Sequence, residues 1–380
     1  MMNRTRDLSF RLARLAWVST CVALAACSSS PSRPKPTDIP PVAVKQDVRT
    51  VWTARLKAVD FSLVAAAHQN RVALADGEGT VVVLNAETGK DIWRIKLDQG
   101  ISAGVGSDGQ QVAVVTRENQ LVVLQDGKVQ WRQTLNAQSF TPPLVAGARV
   151  FVLQADRSVV AFDGATGRKL WTQQRAGEPL VLKQAGVLLP VKNTLVAGLS
   201  GRLVGMDPNT GVIRWESAIA TPRGTNDIER LVDLVYPYDR QGDVVCVRAF
   251  QSQVGCVNAD RGQSVWTRPV ANERGIGGNE QLVIAPQSNG VVQALNRATG
   301  ERVWDTERLK YRTLSAPLVT PRGVLLADNA SWLYVLSLAN GELLNRVKFD
   351  GEELVTLAPT GGDRYVLVSR EGRVSGLQIP

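Results

Sequence analysis

From about residue 50 to its end, the chain alternates short apolar runs with polar turns. Val81–Leu84, Leu121–Leu124, Val159–Phe162, Leu203–Met206 and Leu333–Leu336 are four-residue runs rich in β-branched side chains. Each is too short for a helix and reads as a buried strand. Ahead of such runs stand Asp76–Gly79, Arg117–Asn119, Ser200-Gly201, Ser288–Gly290 and Arg370–Gly372, which supply Gly or Asn where a hairpin needs positive φ. Behind them stands a second turn, spelled Asn85-Ala-Glu-Thr-Gly89, Asp163-Gly-Ala-Thr-Gly167, Asp207-Pro-Asn-Thr-Gly211 and Asn296-Arg-Ala-Thr-Gly300. The unit is therefore inner strands, a hairpin, a third strand, a hairpin and an outer strand.

The outer strand carries a marker. Four residues past the turn Gly comes a Trp or its substitute, in the pairs Gly89/Trp93, Gly127/Trp131, Gly167/Trp171, Gly211/Trp215, Gly262/Trp266, Gly300/Trp304 and Gly341/Asn345. Successive Trp positions are 38, 40, 44, 51, 38 and 41 residues apart, at or near the period of four-stranded propeller blades. Trp52, 41 residues before Trp93, has no Gly turn ahead of it. At the other terminus Leu354–Leu357, Tyr365–Val368 and Arg373–Leu377 make three strands without an outer partner. The pattern predicts an all-β, eight-bladed β-propeller over residues 47–380. Its blades are four-stranded and antiparallel, and the ring is closed by pairing the N-terminal strand with the C-terminal strands, which hides the open edges. The 51-residue interval marks an insertion of about ten residues within Thr221 to Gly242.

The first residues are addressing information. Arg4, Arg6, Arg11 and Arg14 precede an apolar stretch from Leu15 to Ala26, and Leu24-Ala25-Ala26 abuts Cys27. This resembles a bacterial lipobox, which implies a leader over 1–26, lipid on Cys27, and a protein anchored to a membrane without spanning it. Ser28 after the Cys favours the outer membrane, by resemblance to lipoprotein sorting signals. Residues 27–46 hold Pro31, Pro34, Pro36, Pro40 and Pro41. They read as an extended spacer of roughly 3 Å per residue, about 60 Å in all.

Charge and cysteine narrow the chemistry. The formal charge of +9 falls to +6 without the leader, whose four Arg and one Asp contribute +3. A basic surface could meet nucleic acid, lipid headgroups or an acidic partner, and the export leader excludes nucleic acid. Apart from Cys21 and Cys27, the chain has only Cys246 and Cys256, flanking a hairpin. A three-residue loop centred on Gln251 sets them opposite one another, either as a disulfide or as two small buried hydrophobes. With the single His, His68, and no soft ligand near it, neither a metal site nor a cofactor is expected.

The repeats Ala86–Trp93, Ala165–Trp171 and Ala298–Trp304 resemble the Trp-docking motif of two families, the quinoprotein dehydrogenases and the BamB outer-membrane assembly lipoproteins. The motif is architectural and does not itself fix a function. A quinoprotein of that kind would need a general base, calcium ligands, usually a vicinal Cys pair, and long inter-blade insertions. No two Cys are adjacent here and the connections are short. Asp76, Asp163 and Asp207 fall at equivalent turns and read as Asx turns. A cell-wall-binding propeller remains an alternative.

The BamB family is similar over the whole chain, from leader to terminal closure. That resemblance implies a non-enzymatic scaffold of the outer-membrane β-barrel assembly complex, on the periplasmic face. It would bind the POTRA domains of BamA and help to hand over unfolded barrel precursors, whose capture along strand edges is a weaker expectation. Two family loops carry the BamA contact. Leu180-Val181-Leu182-Lys183 matches a Leu-x-Leu-Arg element, with Lys replacing Arg and losing its fork. Ile228-Glu229-Arg230-Leu231-Val232-Asp233-Leu234-Val235 matches Ile-Asp-Arg-Leu-x-Asp-x-Asp, with Val235 replacing the last carboxylate. By this match Leu180 and Leu182 are apolar anchors, and Lys183, Arg230 and Asp233 are polar contacts.

Overall fold

A computed structural model describes residues 34–175, 180–271, 274–350 and 353–380. The chain divides into Met1–Pro36, of which only 34–36 are described, and Thr37–Pro380. The second unit consists of eight four-stranded sheets, every neighbouring pair antiparallel. The first blade runs Ala66–His68, Arg71–Ala75, Thr80–Asn85 and Asp91–Lys96 from the centre outward. Six more follow over 101–134, 144–174, 188–218, 234–269, 277–306 and 318–348. The eighth joins Leu354–Gly361, Arg364–Ser369 and Arg373–Gln378 to Arg49–Arg55. For most blades the first strand touches that of its neighbour around the centre, including the first blade against the eighth, so the ring closes. The eight blades and their closure by the two termini are as the repeat predicts.

Middle strands are buried on both faces, as Val72–Ala75 and Val81–Leu84 illustrate, and their side chains form the layers between blades. In seven blades the Trp of the outer strand reaches sideways to the neighbouring blade's turn. Five of the indole N–H groups donate to a turn carbonyl, from Trp52 to Ala86 at 3.0 Å, Trp131 to Gly164 at 2.9 Å, Trp171 to Pro208 at 3.1 Å, Trp266 to Arg297 at 2.7 Å and Trp304 to Leu338 at 2.8 Å. The turn Gly lies under that ring. Gly89 has φ +68, and a Cβ there would sit 2.4 Å from Cε3 of Trp52, so backbone and space both require Gly.

At the seam the pattern changes for a physical reason. The seventh blade's outer strand faces an eighth blade whose outer turn is split between the two chain ends, leaving no closed turn for a Trp to cover. Asn345 stands there instead, and its side-chain amide donates to the Gln46 carbonyl at 2.7 Å. The Gln46 side chain in turn donates to the Pro380 carbonyl at 2.8 Å.

Residues 37–46 depart from the extended spacer that their prolines suggest. Thr37 N–H donates to the Lys310 carbonyl at 3.1 Å and Lys45 N–H to the Leu344 carbonyl at 2.9 Å, while Lys45 pairs with Glu342 at 2.6 Å. Ile39 and Val42, partly buried, pack against the core between the sixth and seventh blades. Burying these two side chains, with two backbone bonds and an ion pair beside them, holds the segment against the ring.

Candidate partner-docking site

Because strands alternate in direction, the connections between blades and the second-to-third-strand turns share one end of the ring. Two connections there build the site. The first, after the third blade, presents Leu180, 41% exposed, with Leu182 half-buried and Lys183 exposed. Gly186 N–H donates to Thr141 Oγ1 at 2.9 Å and Tyr236 N–H to the Ala185 carbonyl at 2.8 Å, which fixes where this loop enters its next blade.

The second connection, 219–233, is where the long interval falls, and the following innermost strand Leu234–Gln241 carries a register shift between Val235 and Asp239. Val232 and Leu234 drop into the core between the fourth and fifth blades and anchor the loop's end. Its tip is one turn tied reciprocally: Glu229 N–H donates to Asn226 Oδ1 at 2.9 Å, and the Glu229 carboxylate accepts Thr225 N–H at 2.8 Å. The Thr225 backbone N–H is the main reason that the Glu229 carboxyl is held below its usual range. Arg230 pairs with Asp227 within the same turn. Ile228 points outward and is 75% exposed.

Asp233 joins the two loops. Its Oδ2 accepts Leu182 N–H at 3.0 Å, and its Oδ1 accepts Arg157 Nη1 at 3.0 Å. Arg157 Nη2 donates onward to the Leu180 carbonyl at 2.8 Å. Arg157 and Asp233 side chains are only 8% and 16% exposed. Behind them runs a narrow cleft lined by Phe140, Leu153, Leu182, Leu199 and Leu234. The arrangement is a stiff pair of loops offering apolar side chains, with its central carboxylate already engaged.

The structure therefore brings Leu180, Leu182 and Asp233 together, places Lys183 beside them, and ties Arg230 to its own loop. Two residues were not singled out from the sequence, Arg157 and Ile228. Arg157 left a signal: it occupies, at φ +64, the turn position that other blades give to Gly79, Asn119, Gly290 and Gly372. Cys246 and Cys256 lie opposite each other in the fifth blade, Cα atoms 4.0 Å apart, joined by a disulfide and away from the loops. Cys27 and the leader lie outside the described residues. Asp163 and Asp207 cap their turns, Asp163 accepting Thr166 N–H at 2.9 Å and Asp207 accepting Asn209 N–H at 2.7 Å. Those bonds, with the Thr166 hydroxyl foremost for Asp163 and the Asn209 N–H for Asp207, lower both carboxyls. Asp76 likewise accepts Glu78 and Thr80 N–H. Among the described residues no three His, Cys, Asp or Glu side chains gather as a metal site.

Comparison with known proteins agrees over nearly the full length. The family model described as outer membrane protein assembly factor BamB matches residues 42–102, 77–306 and 277–375. The assembly factor BamB of Burkholderia pseudomallei is 32% identical over 96% of this chain and 97% of its own, and that of Bordetella pertussis is 30% identical over 91% and 94%. The crystal structure of BamB from Moraxella catarrhalis superposes with a TM-score of 0.80 at 23% identity, covering 87% of this chain and all of that one. A quinohemoprotein alcohol dehydrogenase from Pseudomonas putida reaches 0.66 at 10% identity, covering 87% of this chain and 76% of its own, a likeness of fold alone. With its repeat, its ring and its full-length relatives in agreement, the chain belongs to the BamB family of outer membrane protein assembly factors.

Proposed function

We propose that the chain is a non-enzymatic scaffold lipoprotein, anchored through Cys27 at the periplasmic face of the outer membrane. It docks the POTRA domains of BamA with the loops around Leu180–Lys183 and Ile228–Asp233. The observation that carries this reading is the exposed Leu180 and half-buried Leu182, held on a rigid ring by a buried ion pair. Apolar side chains displayed on ordered backbone lose little entropy on binding, which is what a docking hot spot needs. Turn carboxylates that resemble catalytic groups by type are consumed by their own backbones. Unfolded barrel precursors would be handled by the assembled complex, with this ring as its scaffold.

The test is affinity recovery of the lipidated protein from detergent-solubilised envelopes, with Leu182→Ala in parallel and mass spectrometry of what accompanies each. BamA should accompany the native chain and fall about tenfold with the variant, while thermal unfolding stays nearly unchanged. Equal loss of binding and stability would assign Leu182 to the core. Absence of BamA from the native sample, with a cell-wall fragment in its place, would overturn the function.

A further inference from the structure

We propose that Arg157 is the positioning residue of the docking surface, setting both inter-blade loops in the single arrangement that a partner reads. Resting on the docking function above, this role explains why Asp233 is turned inward. The guanidinium spans two elements at once, with Nη1 on the Asp233 carboxylate at 3.0 Å and Nη2 on the Leu180 carbonyl at 2.8 Å. Its planar fork fixes the angle between those bonds, so the two loops cannot shift independently. Asp233 passes the constraint on by accepting Leu182 N–H at 3.0 Å. Three connections separated by up to 76 residues in sequence are thereby tied at one point.

The backbone gives a second, independent indication. At φ +64 Arg157 occupies a left-handed conformation that long L side chains disfavour, at a turn position where other blades place Gly79, Asn119, Gly290, Gly372 or the short Ser331. A Gly there would close the turn equally well. The residue is thus explained by what its side chain reaches, not by the turn it sits in. It follows that the Asp233 carboxylate is spent within the protein. Asp233 acts from behind Leu182, and the surface met by the partner is Leu180, the Leu182 side chain, Lys183 and Ile228. Lysine at 157 would keep the charge but lose the planar fork, so the angle between the two bonds would no longer be fixed.

The experiment uses the lipidated full chain with Arg157→Met and Arg157→Lys, reading BamA recovery and amide hydrogen exchange of Leu182 against core strands such as Thr194–Leu199. For Arg157→Met, recovery should fall about tenfold and the Leu182 amide should lose protection, with core amides unchanged. Arg157→Lys should be intermediate in both. Full recovery with Arg157→Met would overturn the role, as would loss of recovery accompanied by equal exchange throughout the core. If the native chain itself recovers no BamA, the docking function fails and this role with it. Recovery by native and Met variant alike removes the role only.

Discussion

At one end of the ring, six turns between third and fourth strands close the same way, each Gly N–H donating to the carbonyl of the Asn, Asp or Ser four residues before it. At the other end, the connections between blades differ in length, wording and contacts. The first end is bound by a repeating demand, since each turn must fit beneath a neighbour's Trp, and the Gly that satisfies it recurs. The second end faces no such demand. Its side chains are free to serve a partner, and its order comes from bonds made once, such as Arg157 to Asp233. Repetition marks where the fold is held, and its absence marks where the molecule can be addressed.

The sharpest break of this comparison is Gly89→Val. A side chain there meets the Trp52 ring and a positive φ together. It should cost about 3 kcal/mol or more in unfolding free energy, read by chemical denaturation, without selective loss of partner recovery from the protein that remains folded. A loss as small as that of a surface substitution would mean that the turn end is not the structural one. Asn345→Ala tests the seam by removing the bond to the Gln46 carbonyl, and should cost about 1 to 2 kcal/mol. Insensitivity would show that the strand pairing of Arg49–Arg55 closes the ring unaided.

The smallest effect belongs to the other end and is local. The carboxyl of Glu229 lies below its ordinary 4.5 in the folded chain, so its bond to Thr225 N–H is fully present above that value and is lost as pH falls through the lowered one. Hydrogen exchange of the Thr225 amide, corrected for intrinsic rates, should rise across that acid window while the strands stay protected. Glu229→Gln should remove the pH dependence; if it persists, another group orders the turn.

The ring was legible because every blade must solve the same packing problem, so Gly and Trp recur at spacings that survive changes elsewhere. The closure by two termini followed from counting strands, since three at one end lacked the fourth at the other. The long Trp interval marked the second loop, but the contact residues of both loops came only from likeness to a family motif, and their inner logic was hidden. Asp233 meets Arg157 across 76 residues, a distance over which no local pattern operates. The Arg157 signal was present as a long side chain at a turn position that elsewhere takes Gly, Asn or Ser, but the turns differ too much in spelling for the sequence alone to align them. The strap at 37–46 was misread for a different reason. Proline content reports local stiffness, and says nothing of Ile39 and Val42 packing against the core between the sixth and seventh blades.

If the ring docks a partner as proposed, that strap would change the partner's effective concentration. With Cys27 lipidated as proposed, only the ten residues from Cys27 to Pro36 lie between the lipid and the docked Thr37. Ten residues span no more than about 35 Å, where a free spacer to Gln46 would span about 65 Å. Roughly halving the radius cuts the accessible volume about sixfold, and a partner fixed in the same membrane is met that much more often. Ten residues laid along the seventh blade would thus strengthen association without touching the partner at all.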